Sequence, residues 1–129
     1  MIYLYIALGG AAGSLLRYSL GGAVQRLSPS GFPIGTLAVN VCGCFIIGVL
    51  IRHFMNMQLS PELRGLLVVG FCGGFTTFST FSAETIGLAE GGEYARAASY
   101  VILSLGLCLT ATLAGMTIMR MVAGATSGR

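Results

Sequence analysis

The stretch Gly70–Glu84, GFCGGFTTFSTFSAE, decides how the rest of the chain is read. It lies in an apolar run, yet it is poorly built for a plain membrane helix. Gly70, Gly73 and Gly74 lack a Cβ, and each weakens a helix relative to Ala. Thr76, Thr77 and Thr80 are β-branched, and their hydroxyls compete with the helical ladder for backbone groups. Arg64 before the run and Glu84 at its end stand about as far apart as a hydrocarbon core of ~30 Å requires at ~1.5 Å per residue. The middle of that interval falls near Gly74. The spacing therefore predicts a helix that is broken close to the bilayer midplane.

Such a break carries a condition. Unwound backbone at membrane depth must be buried in protein or line a watery cavity. Two readings of the stretch follow. In one, a discontinuous helix uses freed carbonyls to bind cations and helix N-termini to bind anions. In the other, small residues form a close helix–helix seam. Phe75, Phe78 and Phe81 recur at i, i+3, i+6, so successive pairs are expected on a common face. Ser79, Thr80 and Ser82 are interleaved with them, an aromatic and hydroxyl mixture beyond what a lipid-facing surface needs.

The composition fits this setting. The chain has 129 residues, 55% hydrophobic and 9% charged, with no Trp. A soluble domain carries about a quarter charged residues, so the expectation is a multi-pass membrane protein of one domain, 1–129, with no extramembrane catalytic domain. The basic residues are all Arg and flank the apolar segments, which suits headgroup contacts and argues against nucleic acid as a partner. The N-terminus has no Arg or Lys ahead of its apolar stretch, so no cleavable signal peptide is expected. Cys42, Cys44, Cys72 and Cys108 all lie in apolar runs and read as small buried hydrophobes rather than a disulfide framework. Cys42 and Cys44 point in roughly opposite directions on a helix and cannot chelate one metal there.

Four spans are predicted, over about 2–24, 35–54, 63–88 and 95–122. The fold class is all-α, four transmembrane helices with the third broken. In the first span Gly9 and Gly13 are spaced for close helix approach, and Arg17 is expected to snorkel to the headgroups. The turn SPSGFP ends that span. In the second, Asn40 is the one strongly polar side chain, with Gly43 on the same face to clear space beside it. It must face protein or a pore, as an interhelical hydrogen-bonding group or as a ligand. Ser60-Pro61-Glu62 has the residues of a helix start. In the fourth span Tyr100, Ser104, Cys108 and Thr112 recur every four residues. This stripe reads as packing glue or as a ladder of donors for a dehydrating anion. There is no enzyme constellation: His53 has no catalytic partner, and no paired carboxylates or phosphate loop occur.

Two stretches, GTLAVNVCGCFIIG with Asn40 and GFCGGFTTFSTFSAE, together closely resemble the signatures of the small bacterial fluoride ion channels, the Fluc or CrcB family. The G-x-x-x-R-Y element of Gly13 to Tyr18 fits as well, and the resemblance covers essentially the whole chain. It implies a passive, fluoride-selective channel of the bacterial inner membrane that exports cytoplasmic fluoride. It also implies an antiparallel, dual-topology homodimer with two pores. A structural sodium ion would sit centrally on the backbone carbonyls of Gly73 and Thr76. The family's pore phenylalanines match Phe78 and Phe81, and its polar groups match Asn40, Ser79, Thr80, Tyr100 and Ser104. At the next step of the stripe the family pattern carries Ser, whereas this chain has Cys108, a weaker donor.

Charge adds an argument about topology. Arg52, Arg64, Arg120 and Arg129 fall on one side, and Arg17, Arg26 and Arg96 on the other if Arg17 snorkels towards the first loop. So small a difference gives little instruction under the positive-inside rule, which suits insertion in both orientations. Two alternatives stay open. A small multidrug-type proton-coupled antiporter would need an intramembrane carboxylate; the first two spans lack one, and Glu84 is expected at a helix end. A non-transporting membrane assembly subunit is the other.

Overall fold

The computed structural model describes residues 1–55 and 60–127, with side chains through 125. Among these residues every regular element is helical: α1 (Ile2–Gln25), α2 (Ile34–Phe54), the short α3 (Pro61–Arg64), a π-helical segment (Gly65–Cys72), α4 (Gly73–Phe75), α5 (Phe78–Glu90) and α6 (Tyr94–Ser127). The pieces from α3 to α5 form one interrupted rod. Three rods are long and apolar enough to cross a membrane: Ile34–Phe54, Pro61–Glu90 and Tyr94–Ala125. The fourth, α1, has the length at 24 residues and carries Arg17 inside it. The chain is thus an all-helical, multi-pass membrane protein. The last helix continues past the expected limit at Val122 to Ser127. Arg129 and part of the connection after His53 lie outside the described residues.

Local chemistry sets the ends. Gln25 clamps the first turn: its Nε2 donates to Phe32 O at 3.0 Å and its Oε1 accepts from Gly35 N at 2.9 Å. Gly31 in that turn has φ 68°, a conformation costly for residues with a Cβ. Ser60 caps α3 by accepting from Leu63 N at 3.3 Å, with Pro61 in the first turn. Arg96 pairs with Glu93 and donates to Ser30 O at 2.7 Å. That contact fixes the α1–α2 and α5–α6 turns at the same end of the bundle.

Two glycine seams bring backbones together. On α1, a Cβ at Gly9 would lie 2.1 Å from Leu66 O, and one at Gly13 would lie 2.3 Å from Phe71 O. From the facing rod, Cβ atoms at Gly70 and Gly74 would meet Ile6 O and Gly10 O, each at 2.6 Å. Between α2 and α6, Gly48 and Gly115 leave the same clearance against Thr112 O and Phe45 O, each at 2.3 Å. Small residues at such crossings let dispersion contacts and interhelical hydrogen bonds drive association where no hydrophobic effect operates.

Three expectations are corrected here. Phe75, Phe78 and Phe81 do not share one face, because the helix is interrupted between the first two: Thr76 (φ −84°, ψ 157°) and Thr77 (φ −149°, ψ 109°) are extended. Phe75 is buried and stacks on Phe71, with ring centroids 5.7 Å apart. Arg17 does not snorkel; its Nε donates to Gly74 O at 3.1 Å. Glu84 is not at a helix end, since α5 runs on to Glu90.

The seams make a direct prediction. Gly13→Ala forces a Cβ into a backbone carbonyl and lowers unfolding stability in detergent by about 1–3 kcal/mol, the cost of overpacking. Gly22→Ala, on the same helix with nothing within 4 Å of its Cβ, leaves the midpoint unchanged or slightly raised. Equal midpoints for the two variants would contradict the seam.

Candidate functional site

The site is built around the two extended residues. With Thr76 and Thr77 out of helical geometry, several backbone groups lose their ladder partners, and each unpaired group at membrane depth costs several kcal/mol. Asn40 on α2 answers both groups of Thr77. Its Oδ1 accepts from Thr77 N at 2.8 Å and its Nδ2 donates to Thr77 O at 3.1 Å. An Asn amide presents the same donor and acceptor as a peptide group, so it continues the backbone pairing that the helix has dropped. Gly43 makes room for this approach: a Cβ there would lie 2.3 Å from Thr76 Cγ2.

The remaining groups are divided. Thr77 Oγ1 accepts from Thr80 N at 3.2 Å and so caps α5. The same hydroxyl donates to Thr80 Oγ1 at 2.9 Å and lies 3.2 Å from Ser79 Oγ. Gly74 O accepts from Arg17 Nε and, at 3.4 Å, from Ser14 Oγ. Thr76 N and Oγ1 both donate to Cys72 O, at 3.0 and 2.9 Å. The carbonyls of Gly73 and Thr76 lose their helical donors: Thr77 N is taken by Asn40, and Thr80 N by Thr77 Oγ1.

A cavity of about 210 Å³ opens beside this junction, lined by Asn40, Cys44, Thr76, Phe78, Phe81, Ser104, Leu105 and Cys108. It gathers residues from both signature stretches and from the α6 stripe. Phe81 is buried and Phe78 is 75% exposed in the single chain, with ring centroids 5.4 Å apart. Tyr100 is fully buried and packs 5.2 Å from the Phe81 ring. Ser104 Oγ, also buried, has no hydrogen-bond partner among the described residues. Ser79 is exposed and Thr80 half-buried, and neither lines this cavity; Thr80 faces a second one.

That second cavity, of about 340 Å³, includes Arg17, Thr36, Thr77, Thr80 and Glu84 in its wall. Asn40 borders one space and Thr77 the other, so their paired hydrogen bonds stand between the two. Glu84 is the site residue that sequence reading missed. Its carboxylate accepts from Thr36 Oγ1 at 2.8 Å and from Tyr100 O–H at 2.6 Å. The available signal was its spacing: Glu84 lies three residues after Phe81, on the face that Phe81 presents to Tyr100.

A bundle of apolar rods with an interrupted helix, a half-buried amide at the interruption and a cavity on either side of it defines a multi-pass membrane protein. The comparisons narrow this. The sequence model of the family described as CrcB-like protein, Camphor Resistance (CrcB) matches residues 4–116. A protein of Rhizobium leguminosarum bv. trifolii, named fluoride-specific ion channel FluC, is 52% identical over 121 residues, covering 93% of this chain and 97% of that one. Proteins of the same name from Geobacter sulfurreducens and Thermus thermophilus are 50% and 52% identical, covering 91% and 83% of this chain and 95% and 86% of theirs. The chain belongs to the CrcB family.

Asn40→Ala strips both partners from the Thr77 peptide. It is expected to destabilise the folded protein by about 1–3 kcal/mol for each group left unsatisfied, read as a lowered unfolding midpoint in detergent. A midpoint equal to wild type would mean that the amide contributes nothing to holding the interruption.

Proposed function

We propose that this chain forms a passive, fluoride-selective channel that lets fluoride leave the cytoplasm down its electrochemical gradient. The observation that carries the reading is Ser104: a buried hydroxyl without a partner, on the wall of the cavity that also holds Asn40, Phe78 and Phe81. Fluoride is small, strongly hydrated and a strong acceptor, so a path for it needs donors to replace water. An unsatisfied buried hydroxyl costs about 1–3 kcal/mol, and an anion in the cavity would repay that. Asn40 has one Nδ2 hydrogen beyond the bond to Thr77, a second donor on the same wall. The positive edges of the Phe78 and Phe81 rings attract an anion weakly, without the deep trapping that an Arg would produce. The relatives described above carry the name of fluoride channels.

The two cavities suggest a route, with the α6 stripe along one side. Thr80 and Ser79 stand at the α5 start, next to the Asn40–Thr77 pair. Tyr100 gives its O–H to Glu84, so it serves the route by its ring unless that bond is released. Glu84 answers the chemical requirement of a proton-coupled antiporter for a carboxylate within a span. Family membership and the two hydroxyls already bonded to it favour the channel.

The same reading includes a homodimer of opposed copies, two pores, and a structural sodium ion. The carbonyls of Gly73 and Thr76, both without their helical donors, are the groups that would hold the ion. Backbone oxygens are hard ligands suited to a hard cation. The surface over Gly73 is open in the single chain, with nothing within 4 Å of a Cβ built there. Bound between two copies, the ion would supply the positive charge that these oxygens lack from donors. Loop charge gives this pairing less support than the sequence count did. With Arg17 engaged inside the bundle, four Arg on one side face Arg26 and Arg96 on the other. The expected setting is the bacterial inner membrane.

Efflux from liposomes that contain only this protein tests the reading. Fluoride should leave rapidly and chloride should not. Phe81→Ile and Phe78→Ile keep apolarity but remove the quadrupole, and each should lower fluoride flux about tenfold, the scale of ~1.4 kcal/mol. Asn40→Asp, which sets a negative acceptor in the path, should lower it further. Equal fluoride and chloride efflux, or no efflux from well-folded protein, would overturn the proposal.

A further inference from the structure

Two thiols with no place in the account above meet in the cavity. Cys44 on α2 and Cys108 on α6 both line the 210 Å³ space. The backbone holds them level with one another, because Thr112 Oγ1 donates to Cys44 O and to Cys108 O, each at 3.1 Å. The α2–α6 glycine seam keeps the two helices close just beyond, with a Cβ at Gly48 only 2.3 Å from Thr112 O. All four cysteines are free thiols; Cys42 is exposed and Cys72 is buried in the packing. The reading of every cysteine as a buried small hydrophobe therefore fails for Cys42 and is incomplete for Cys44 and Cys108.

Sulfur ligands select soft ions such as copper(I). No group of three or more His, Cys, Asp or Glu able to hold a metal occurs among the described residues. Four-coordinate zinc is therefore a poor fit, and linear two-coordinate ions are the fitting class. Linear S–metal–S binding needs sulfurs about 4.6 Å apart, twice a metal–sulfur bond of ~2.3 Å. The shared cavity gives both side chains room to take up that separation. We propose that Cys44 and Cys108 form a two-coordinate site for a soft, thiophilic metal ion, set across the candidate ion path. With mercury(II) the step balances simply: two S–H bonds break, two mercury–sulfur bonds form, and two protons pass to water. The product is neutral, so no uncompensated charge is left in hydrocarbon. Metal binding stands on the thiol geometry alone. Its consequence, a blocked path, rests on the function proposed above, because the metal would sit beside Asn40 and Ser104.

The test uses full-length protein in chloride-free buffer, mercury(II) nitrate as the probe and an excess of a monothiol as competitor. Binding is followed by the thiolate-to-mercury absorbance of the protein after gel filtration has removed the monothiol and its mercury complex, separately from fluoride efflux out of liposomes. One mercury ion per chain is expected, removed by a dithiol. Cys42→Ser and Cys72→Ser should keep the absorbance. Ser and Ala variants at Cys44 and at Cys108 should each lose it, two substitutions per position so that one folding failure is not decisive. Absorbance that survives loss of Cys44 or Cys108, or that disappears with Cys72, overturns the site. In wild-type liposomes, mercury should abolish fluoride efflux and the dithiol should restore it. Stoichiometric binding with undiminished efflux would leave the metal site standing and overturn the placement of this cavity on the fluoride path.

Discussion

A peptide group inside a membrane must be paired, and the pairing of Asn40 with Thr77 is the interaction on which the rest of this structure depends. The third rod stops at Phe75 and restarts at Phe78. Two extended residues at that depth would be untenable alone. Asn40 supplies a donor and an acceptor in one planar group, set like the missing neighbour of an extended backbone. Once Thr77 is held, its hydroxyl caps α5, Arg17 and Ser14 take up Gly74 O, and the Gly73 and Thr76 carbonyls lose their helical donors. The interruption is thus stabilised from three helices. Its two unmatched oxygens are a consequence of how the others are satisfied.

The stretch holds both a packing seam and two extended residues, Thr76 and Thr77, and its glycines differ in what they meet. Gly70 and Gly74 lie against α1, where any Cβ would strike backbone. Gly73, on the open side, meets nothing. Residue spacing alone does not separate these roles, since Gly73 is three residues from Gly70 and one from Gly74; the packing of α1 does. Composition exposed the weakness of the helix, while the identity of each neighbour depended on the fold.

Much of the fold was legible because its causes are local or compositional. Apolar length marked the rods, the Ser60-Pro61 pair marked a helix start, and Gly31 marked a turn. What escaped depends on contacts distant in the chain. Arg17 bonds a carbonyl 57 positions away, and Asn40 reaches 37 positions to Thr77. Snorkelling was a reasonable expectation for an isolated Arg, and it fails because Gly74 O is an unmatched acceptor within reach. Glu84 was misplaced because charge was taken as a sign of a helix end. The hydroxyls of Thr36 and of buried Tyr100 let a carboxylate sit further in. The π-helical geometry of Gly65–Cys72 has no counterpart in residue type. Among the site residues, Asn40, Phe78, Phe81 and Ser104 come together in one cavity, while Ser79 and Thr80 stand on the α5 cap and Tyr100 turns to Glu84.

The central claim is that Thr77 has left the helical ladder for Asn40 and that the Gly73 and Thr76 carbonyls are thereby freed. An experimental structure of the lipid-embedded protein in sodium, at a resolution that orients peptide planes, tests it most directly. The account predicts Thr77 N–H directed at Asn40. It also predicts an ion within about 2.3–2.6 Å of the Gly73 and Thr76 oxygens, between two opposed copies. A continuous helix through this segment, with Thr77 N–H donating to the Gly73 carbonyl, would contradict it.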